Sequence, residues 1–225
     1  MQKVIFMQKA VAQSICGTLT STSKMPCKSY SLPTEACITG FKMSQIAGSV
    51  CSVCYANKGF YRAYEKTIKP SQFARLDSVL CATDNSENAE LWISGMVSLI
   101  GADLYFRWHD SGDIQSIHHL NLIVLVARAT PNCMHWLPTR EYGIVKEYIN
   151  VFGELPDNLI VRLSAMYPDK AVIVPKSLQG IKNIAISNVH TTEPIGTVCT
   201  VPENNGSCGE CRACWSTETI SYAMH

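Results

Sequence analysis

The chain has 225 residues, 47% of them hydrophobic and only 16% charged, with 19 basic and 18 acidic side chains for a formal net charge of +1. That composition excludes a disordered chain, and the even charge balance argues against a broad nucleic-acid-binding face. A globule of this size buries roughly 70% of its unfolded surface, so one domain over residues 1–225 needs no staples to fold.

The first segment, MQKVIFMQKAVAQSICG, has a short apolar run at Val4 to Met7 and then polar interruptions. It makes a poor signal peptide, and no apolar run approaches the roughly 18 residues that read as a membrane span. A cytoplasmic protein without membrane association is expected. Residues 1–30 are otherwise polar, and residues 31–64 read as an irregular loop feeding a helix. Residues 70–100 read as helical, with Asp84 or Ser86 as the cap of a helix carrying Leu91, Trp92, Met96, Leu99 and Ile100. Short apolar strands follow at 102–108, 132–138, 158–165, 171–175 and 183–189. Between them, Ile114 to Ala129 and Tyr142 to Phe152 place apolar residues at helical spacing. The alternation predicts an α/β fold with a mostly parallel sheet, open or rolled into a partial (β/α) barrel. Residues 190–214 hold four cysteines among Gly and Pro and read as a metal-ordered loop.

Eleven cysteines are the anomaly of the composition. Their odd number, without an export signal, points to metal ligation in a reducing compartment and not to disulfides. The strongest pattern is Cys208-Gly-Glu-Cys211-Arg-Ala-Cys214, with Cys199 upstream. Three cysteines at three-residue spacing can turn their sulfurs to one centre, as in ferredoxin-type iron–sulfur sites. The second pattern is Cys51-Ser-Val-Cys54, with Cys37 upstream, which fits one edge of a cluster or half of a zinc site. Seven cysteines in two clusters exceed what one zinc uses. A four-iron–four-sulfur cluster is therefore expected over zinc, held by Cys51 and Cys54 with two of Cys208, Cys211 and Cys214 at one shared centre. The metal-binding loop region would then be built from both ends of the chain. Cys16, Cys27, Cys81 and Cys133 are scattered and read as packing residues.

In parallel α/β sheets, ligands bind beyond the carboxyl ends of the strands. Those positions are polar here: His109, Asp110, Ser111 and Asp113 after the first strand, Thr139, Arg140 and Glu141 after the second. His109, Asp110, Asp113 and His135 are candidates for proton transfer, Ser111 for a nucleophile and Arg140 for an anion clamp. The competing reading makes Asp113 a helix cap and Arg140 a surface ion-pair partner. Arg107 and Arg162 fall inside predicted strands, where each needs an acidic partner or a polar site. His118 and His119 read as surface or packing residues. Tyr55, Phe60, Tyr61 and Tyr64 read as a shield for a cluster or as core.

The stretches KMPCKSYSLPTEACITGFKMSQIAGSVCSVCYANKGFY, FRWHDSGDIQS, HWLPTREY and CGECRACW resemble the phage-encoded gene product 88 family, over about Lys24 to Trp215. The resemblance implies a viral or prophage origin and an iron–sulfur protein. The ligand candidates it carries over are Cys37, Cys51, Cys54, Cys199, Cys208, Cys211 and Cys214, and the polar positions are His109 to Asp113, Arg140 and Glu141. The Cys54-Tyr-Ala context also looks like radical S-adenosylmethionine enzymes. Their Cys-x-x-x-Cys-x-x-Cys motif is broken here, because Ala47 stands four residues before Cys51. Cluster-assisted hydrolysis of an ester-type small molecule is therefore preferred over S-adenosylmethionine chemistry, with a purely structural metal as the non-enzymatic alternative.

Overall fold

A computed structural model of the protein describes residues 4–22 and 24–224. Seven helices and eight strands are labelled in chain order. They are α1 (Lys9–Cys16), β1 (Thr20–Ser21), β2 (Lys28–Tyr30), α2 (Ile38–Ser44), α3 (Gly59–Ala63), α4 (Glu65–Asp84), α5 (Ser86–Ile100) and β3 (Tyr105–Trp108). Then come α6 (Ile117–Ala129), β4 (Met134–Thr139), α7 (Tyr142–Phe152), β5 (Leu159–Ser164), β6 (Ile184–His190), β7 (Thr197–Val198) and β8 (Ile220–Ala223).

The strands form one sheet in the order β1-β2-β3-β4-β5-β6-β8-β7. Only the β1–β2 pair is antiparallel; from β2 onward every pair is parallel, with Tyr30 opposite Trp108, Arg107 opposite Trp136, and Pro138 opposite Arg162. The α/β expectation therefore holds, with a mostly parallel sheet. The order advances one strand at a time, because α6 and α7 each carry the chain back over the sheet to start the neighbouring strand.

Alternation along the strands decides what each face meets. Phe106, Trp108, Leu137, Leu159, Val161 and Leu163 face the helices and join one apolar core with Trp92, Met96, Ile123 and Val145. Trp92 of α5 stacks on Trp108 with ring centroids 6.2 Å apart, and Tyr30 packs edge-on at 5.8 Å from Trp92. Burial of each such large side chain stabilises the fold by ~1.5–3 kcal/mol. The alternate residues, Tyr105, Arg107, Trp136 and Arg162, point to the opposite face. There Trp215 packs on Trp136 and Tyr105, at 5.4 and 5.2 Å, and donates from Nε1 to the Phe106 carbonyl. The cysteine-rich C-terminal segment thus covers the face that the helices leave open. All six residues of β5 are buried, as expected of a strand covered on both faces.

Several local expectations change. Residues 171–175 form no strand; Ile173 is 88% exposed, and Val172 is held instead by its N–H donating to Asn188 Oδ1. The cap of α5 is Asn85, whose side chain accepts from Asn88 N, in place of Asp84 or Ser86. The helix placed at Ile114 begins at Ile117, where Ser116 accepts from His119 N. Among the described residues, no helix is long and apolar enough to cross a membrane.

Candidate functional site

The first parallel strand, β2, feeds a loop that lies over the carboxyl ends of its neighbours. Three polar contacts fix it there. Leu32 N donates to the Ser111 carbonyl at 2.8 Å, and Ser111 Oγ donates back to the Leu32 carbonyl at 2.9 Å. Thr39 then donates twice to Glu141, N to Oε1 and Oγ1 to Oε2, both at 2.6 Å. Farther on, Val50 N donates to the Met166 carbonyl just beyond β5. These anchors carry Cys37, which stands at the N-terminus of α2, and Cys51, which sits in a short 3-10 turn.

Gly40 shows how close the thiols come. A Cβ there would lie 3.5 Å from Cys37 Sγ and 3.8 Å from Cys51 Sγ. The Cys37 thiol is pushed up by burial and further by Asp113, Cys54 and Cys51. Burial also raises Cys51, against the opposing pull of Arg140, and Cys54 and Asp113 add to the rise. Cys37, Cys51 and Cys54 are therefore mutual neighbours at the strand ends, beside Arg140. Cys37, a distant third residue in the sequence, comes beside Cys51 through the turn of α2.

Cys199, Cys208, Cys211 and Cys214 gather separately, on the sheet face opposite the helices. Cys199 N donates to the Ser221 carbonyl of β8, and Cys214 Sγ lies 3.2 Å from Tyr222 Oη on the next residue of the same strand. Cys211 N donates to the Cys208 carbonyl, closing a turn, and Cys208 N donates to the Lys24 carbonyl. Cys208 interacts electrostatically with Cys199 and Cys211, and Cys214 with Cys199. Cys27, read from sequence as packing, is a neighbour of Cys208, and burial pushes its thiol up to about 12. The thiols thus fall into two sets of neighbours, Cys37 with Cys51 and Cys54, and Cys199 with Cys208, Cys211 and Cys214. Cys16 and Cys133 are buried as expected, whereas Cys81 is exposed.

Among the described residues, no three His, Cys, Asp or Glu side chains stand close enough to hold a single metal ion. All eleven cysteines are free thiols.

The polar candidates take up other tasks. Asp113 Oδ1 accepts from Thr139 Oγ1 at 2.6 Å and from Ile114 N, and Oδ2 accepts from Arg140 N at 2.9 Å. Burial raises its pKa to about 6, against the lowering effect of those hydrogen bonds. Asp113 ties the end of β3 to the end of β4. Ser111 Oγ is engaged with the Leu32 carbonyl and with Gln72 Nε2, and no histidine activates it. His135 lies near the start of β4 on the helix face, accepting from Trp108 Nε1 at 3.2 Å and bonded to Thr130 Oγ1 at 2.8 Å. It stands at the wrong end of the strand to move protons at the site.

His109 adopts φ +51°, a left-handed conformation uncommon outside glycine. The twist turns its ring to the helix side, 5.3 Å from the His119 ring. It is 3% exposed, and burial holds its pKa well below the ordinary value. Asp110 accepts from Tyr61 Oη at 2.6 Å, and its carbonyl accepts from Tyr55 Oη. Arg140 Nε donates to the Ala165 carbonyl at 3.0 Å, which orients its head near Cys51. Phe60 is 78% exposed, and Tyr55 and Tyr64 are exposed too, so these aromatics are not core.

Asp110 is a charged neighbour of Arg107, and Glu218 of Arg162. Among the described residues neither Arg107 nor Arg162 forms an ion pair. Arg107 lies over the Trp136 ring at 4.4 Å and donates to Tyr55 Oη and Met25 Sδ, both at 3.3 Å. Arg162 is fully buried and donates to the carbonyls of Ile186, Glu218 and Ser216 at 2.6 Å and of Ala213 and Cys214 at 3.3 Å. A cleft of about 570 Å³ lies away from the strand ends, near the start of β3, with Cys27, Lys28, Asp103, Tyr105 and Arg212 in its wall.

Sequence reasoning missed Thr39 and Tyr222, which carry no recognisable signal of their own. No curated protein and no solved structure matches the chain. The family model described as gene product 88 matches residues 7–217, nearly the whole chain, and the protein therefore belongs to the gene product 88 family.

Proposed function

We propose that the protein is an iron–sulfur enzyme in which Cys37, Cys51 and Cys54 hold a four-iron–four-sulfur cluster by three thiolates, for one-electron chemistry on S-adenosylmethionine. The observation that carries this is the shared approach of Cys37 and Cys51 to Gly40, on the loop that follows the first parallel strand. Three thiolates on four irons leave one iron for a ligand other than protein. The sequence motif is broken at Ala47, and α2 restores the missing thiol by bringing Cys37 to Cys51. The stepwise strand order supports a partial (β/α) barrel, with the helix-free face inward and the thiols at the carboxyl ends of the strands.

Held by Cys37, Cys51 and Cys54, such a cluster would supply one-electron reduction of the S-adenosylmethionine sulfonium. The chain's own residues hold and shield. Glu141 fixes the Cys37 turn through Thr39, and Arg140 places positive charge beside the Cys51 thiolate, which favours its deprotonated form. Ester hydrolysis is less well served. His109 and His135 are buried and held neutral, Ser111 lacks a base, and Asp113 is committed to Thr139 and the Ile114 and Arg140 amides.

The test is oxygen-free reconstitution with iron and sulfide, reduction with dithionite, and quantification of methionine and 5′-deoxyadenosine from S-adenosylmethionine. Cleavage that disappears in Cys37→Ala is the expected result. A Cys37→Ala protein that binds iron and cleaves like the parent, or a parent that binds iron but hydrolyses esters and leaves S-adenosylmethionine intact, overturns the reading.

A further inference from the structure

We propose that Cys199, Cys208, Cys211 and Cys214 hold a second iron–sulfur cluster, distinct from the one assigned to Cys37, Cys51 and Cys54 and ligated by protein thiolates alone. The geometry begins with β8, which places Cys199 and Cys214 together. Ser221 accepts from the backbone of Cys199, and the adjacent Tyr222 meets the Cys214 sulfur at 3.2 Å. The turn closed by Cys211 N and the Cys208 carbonyl carries the other two thiols, and Cys208 has Cys199 and Cys211 as electrostatic neighbours. Gly209, at φ +48°, makes that turn, and a Cβ there would come within 2.8 Å of Asn204 Nδ2.

A second, independent observation is the charge around the group. Arg162 is fully buried, forms no ion pair among the described residues, has Cys214 and Glu218 as charged neighbours, and grips the Ala213 and Cys214 carbonyls. Arg107 is also without an ion pair and is an electrostatic neighbour of Cys208 and Cys214, while Arg212 lies between Cys211 and Cys214 in sequence. A buried cation needs a countercharge. Four thiolates around an iron–sulfur core carry net negative charge and supply it. Cys27 meets the group through Cys208 alone among these thiols and is not required as a ligand.

The experiment is iron, acid-labile sulfide and zinc analysis, with electron paramagnetic resonance, on the full chain purified without oxygen. The parent is expected to hold about eight irons per chain, two four-iron clusters. Cys211→Ala/Cys214→Ala is expected to keep about half, with the resonance of the strand-end cluster intact, and Cys37→Ala/Cys51→Ala to keep the other half. Cys27→Ala is expected to keep all of it. A parent with half the expected iron, emptied by either double variant, means one shared centre and overturns the proposal. Full iron in Cys211→Ala/Cys214→Ala, or stoichiometric zinc in its place in the parent, also overturns it. Unchanged iron in Cys37→Ala/Cys51→Ala instead refutes the strand-end reading and leaves this one standing. Should a double variant fail to fold, the iron count and the number of distinct resonances in the parent decide the matter.

Discussion

Replacing Arg162 with Met removes a guanidinium whose two terminal nitrogens hold five backbone carbonyls, three of them at 2.6 Å. Four of those carbonyls, at Ala213, Cys214, Ser216 and Glu218, belong to the segment that lays the C-terminal cysteines on the sheet. Each hydrogen bond from a charged donor contributes ~1.5–3 kcal/mol, and each carbonyl left buried without a partner costs ~1–3 kcal/mol. Against this stands the relief of no longer burying a cation, worth several kcal/mol on its own. Some of the carbonyls also reach water once the segment loosens. The net is a loss of ~3–5 kcal/mol, the range typical of breaking one side of a buried polar network. For a domain of this size that lowers the melting temperature by about 6–20 °C. Arg162→Lys recovers only part of it, because three donors on one nitrogen do not span five acceptors. The assay is chemical denaturation of the metal-free protein, with hydrogen exchange read at residues 213–218 and at β4. Faster exchange at 213–218 in Arg162→Met, with β4 slowed or accelerated only as global stability changes, is expected. Stability within ~0.5 kcal/mol of the parent and unchanged exchange at 213–218 would refute the assignment of Arg162 as the tether.

Glu141→Gln keeps one acceptor for Thr39 and loses the charge, and is expected to cost ~1–2 kcal/mol and to lower iron occupancy at the Cys37 site, measured by iron analysis after reconstitution. Gly112→Ala puts a Cβ 2.5 Å from Leu32 Cβ at a φ of +79°, so a loss of ~2–4 kcal/mol in denaturant titration is expected. Stability of the metal-free protein should fall as the pH drops from about 6.5 to about 4. Burial holds His119 and His135 down to about 3 and His109 well below its ordinary value, so the unfolded chain takes up protons that the folded chain refuses. Asp113, raised to about 6, works the other way between its folded and unfolded values, since the folded chain then holds its proton first. Three histidines against one aspartate leave a net excess of roughly two protons on the unfolded side, a slope of about 2–3 kcal/mol per pH unit near pH 5. A flat stability profile from pH 4 to 6.5 would refute the buried neutral histidines.

The central part of the fold was legible because its elements carry one dominant period each. Tyr142–Phe152 shows the same bounds in sequence and structure, β3 and β5 lie inside the apolar runs that announced them, and β4 and β6 run one residue past theirs. Residues 171–175 have the composition of a strand, yet Pro175 and the exposed Ile173 place them outside the sheet. Two parallel strands went unseen for the opposite reason. Lys28–Tyr30 and Ile220–Ala223 are short and partly polar, and their serines are buried only because neighbouring strands cover them. The division of the cysteines was not legible at all. Spacing along the chain reports which sulfurs share a turn, and the face of the sheet on which a loop comes to rest depends on β8, which the sequence concealed.

The polar residues at the strand ends have a common logic that differs from catalysis. A loop lying over the ends of parallel strands must satisfy its own amides where no ladder continues. Asp113 accepts from the Arg140 and Ile114 amides, and Glu141 from the Thr39 amide, two residues after Cys37. Thr139 Oγ1 donates to Asp113 and accepts from Glu141 N, so one hydroxyl joins the Asp113 carboxylate to the backbone of Glu141, whose side chain continues the line to Thr39. The result is a continuous line of hydrogen bonds from the end of β3, across the end of β4, to the turn that holds Cys37. Carboxylates and hydroxyls crowd this region because thiols that must converge need a stiff second layer. Hence Thr139→Val, which keeps the shape and removes the joint, should weaken the line at the Asp113 carboxylate and at the Glu141 amide. It should lower iron retention at the strand-end site more than overall stability, which a chelator-challenge time course beside a denaturation curve would measure. Iron release at the parent's rate would mean that the thiols hold their positions without this layer.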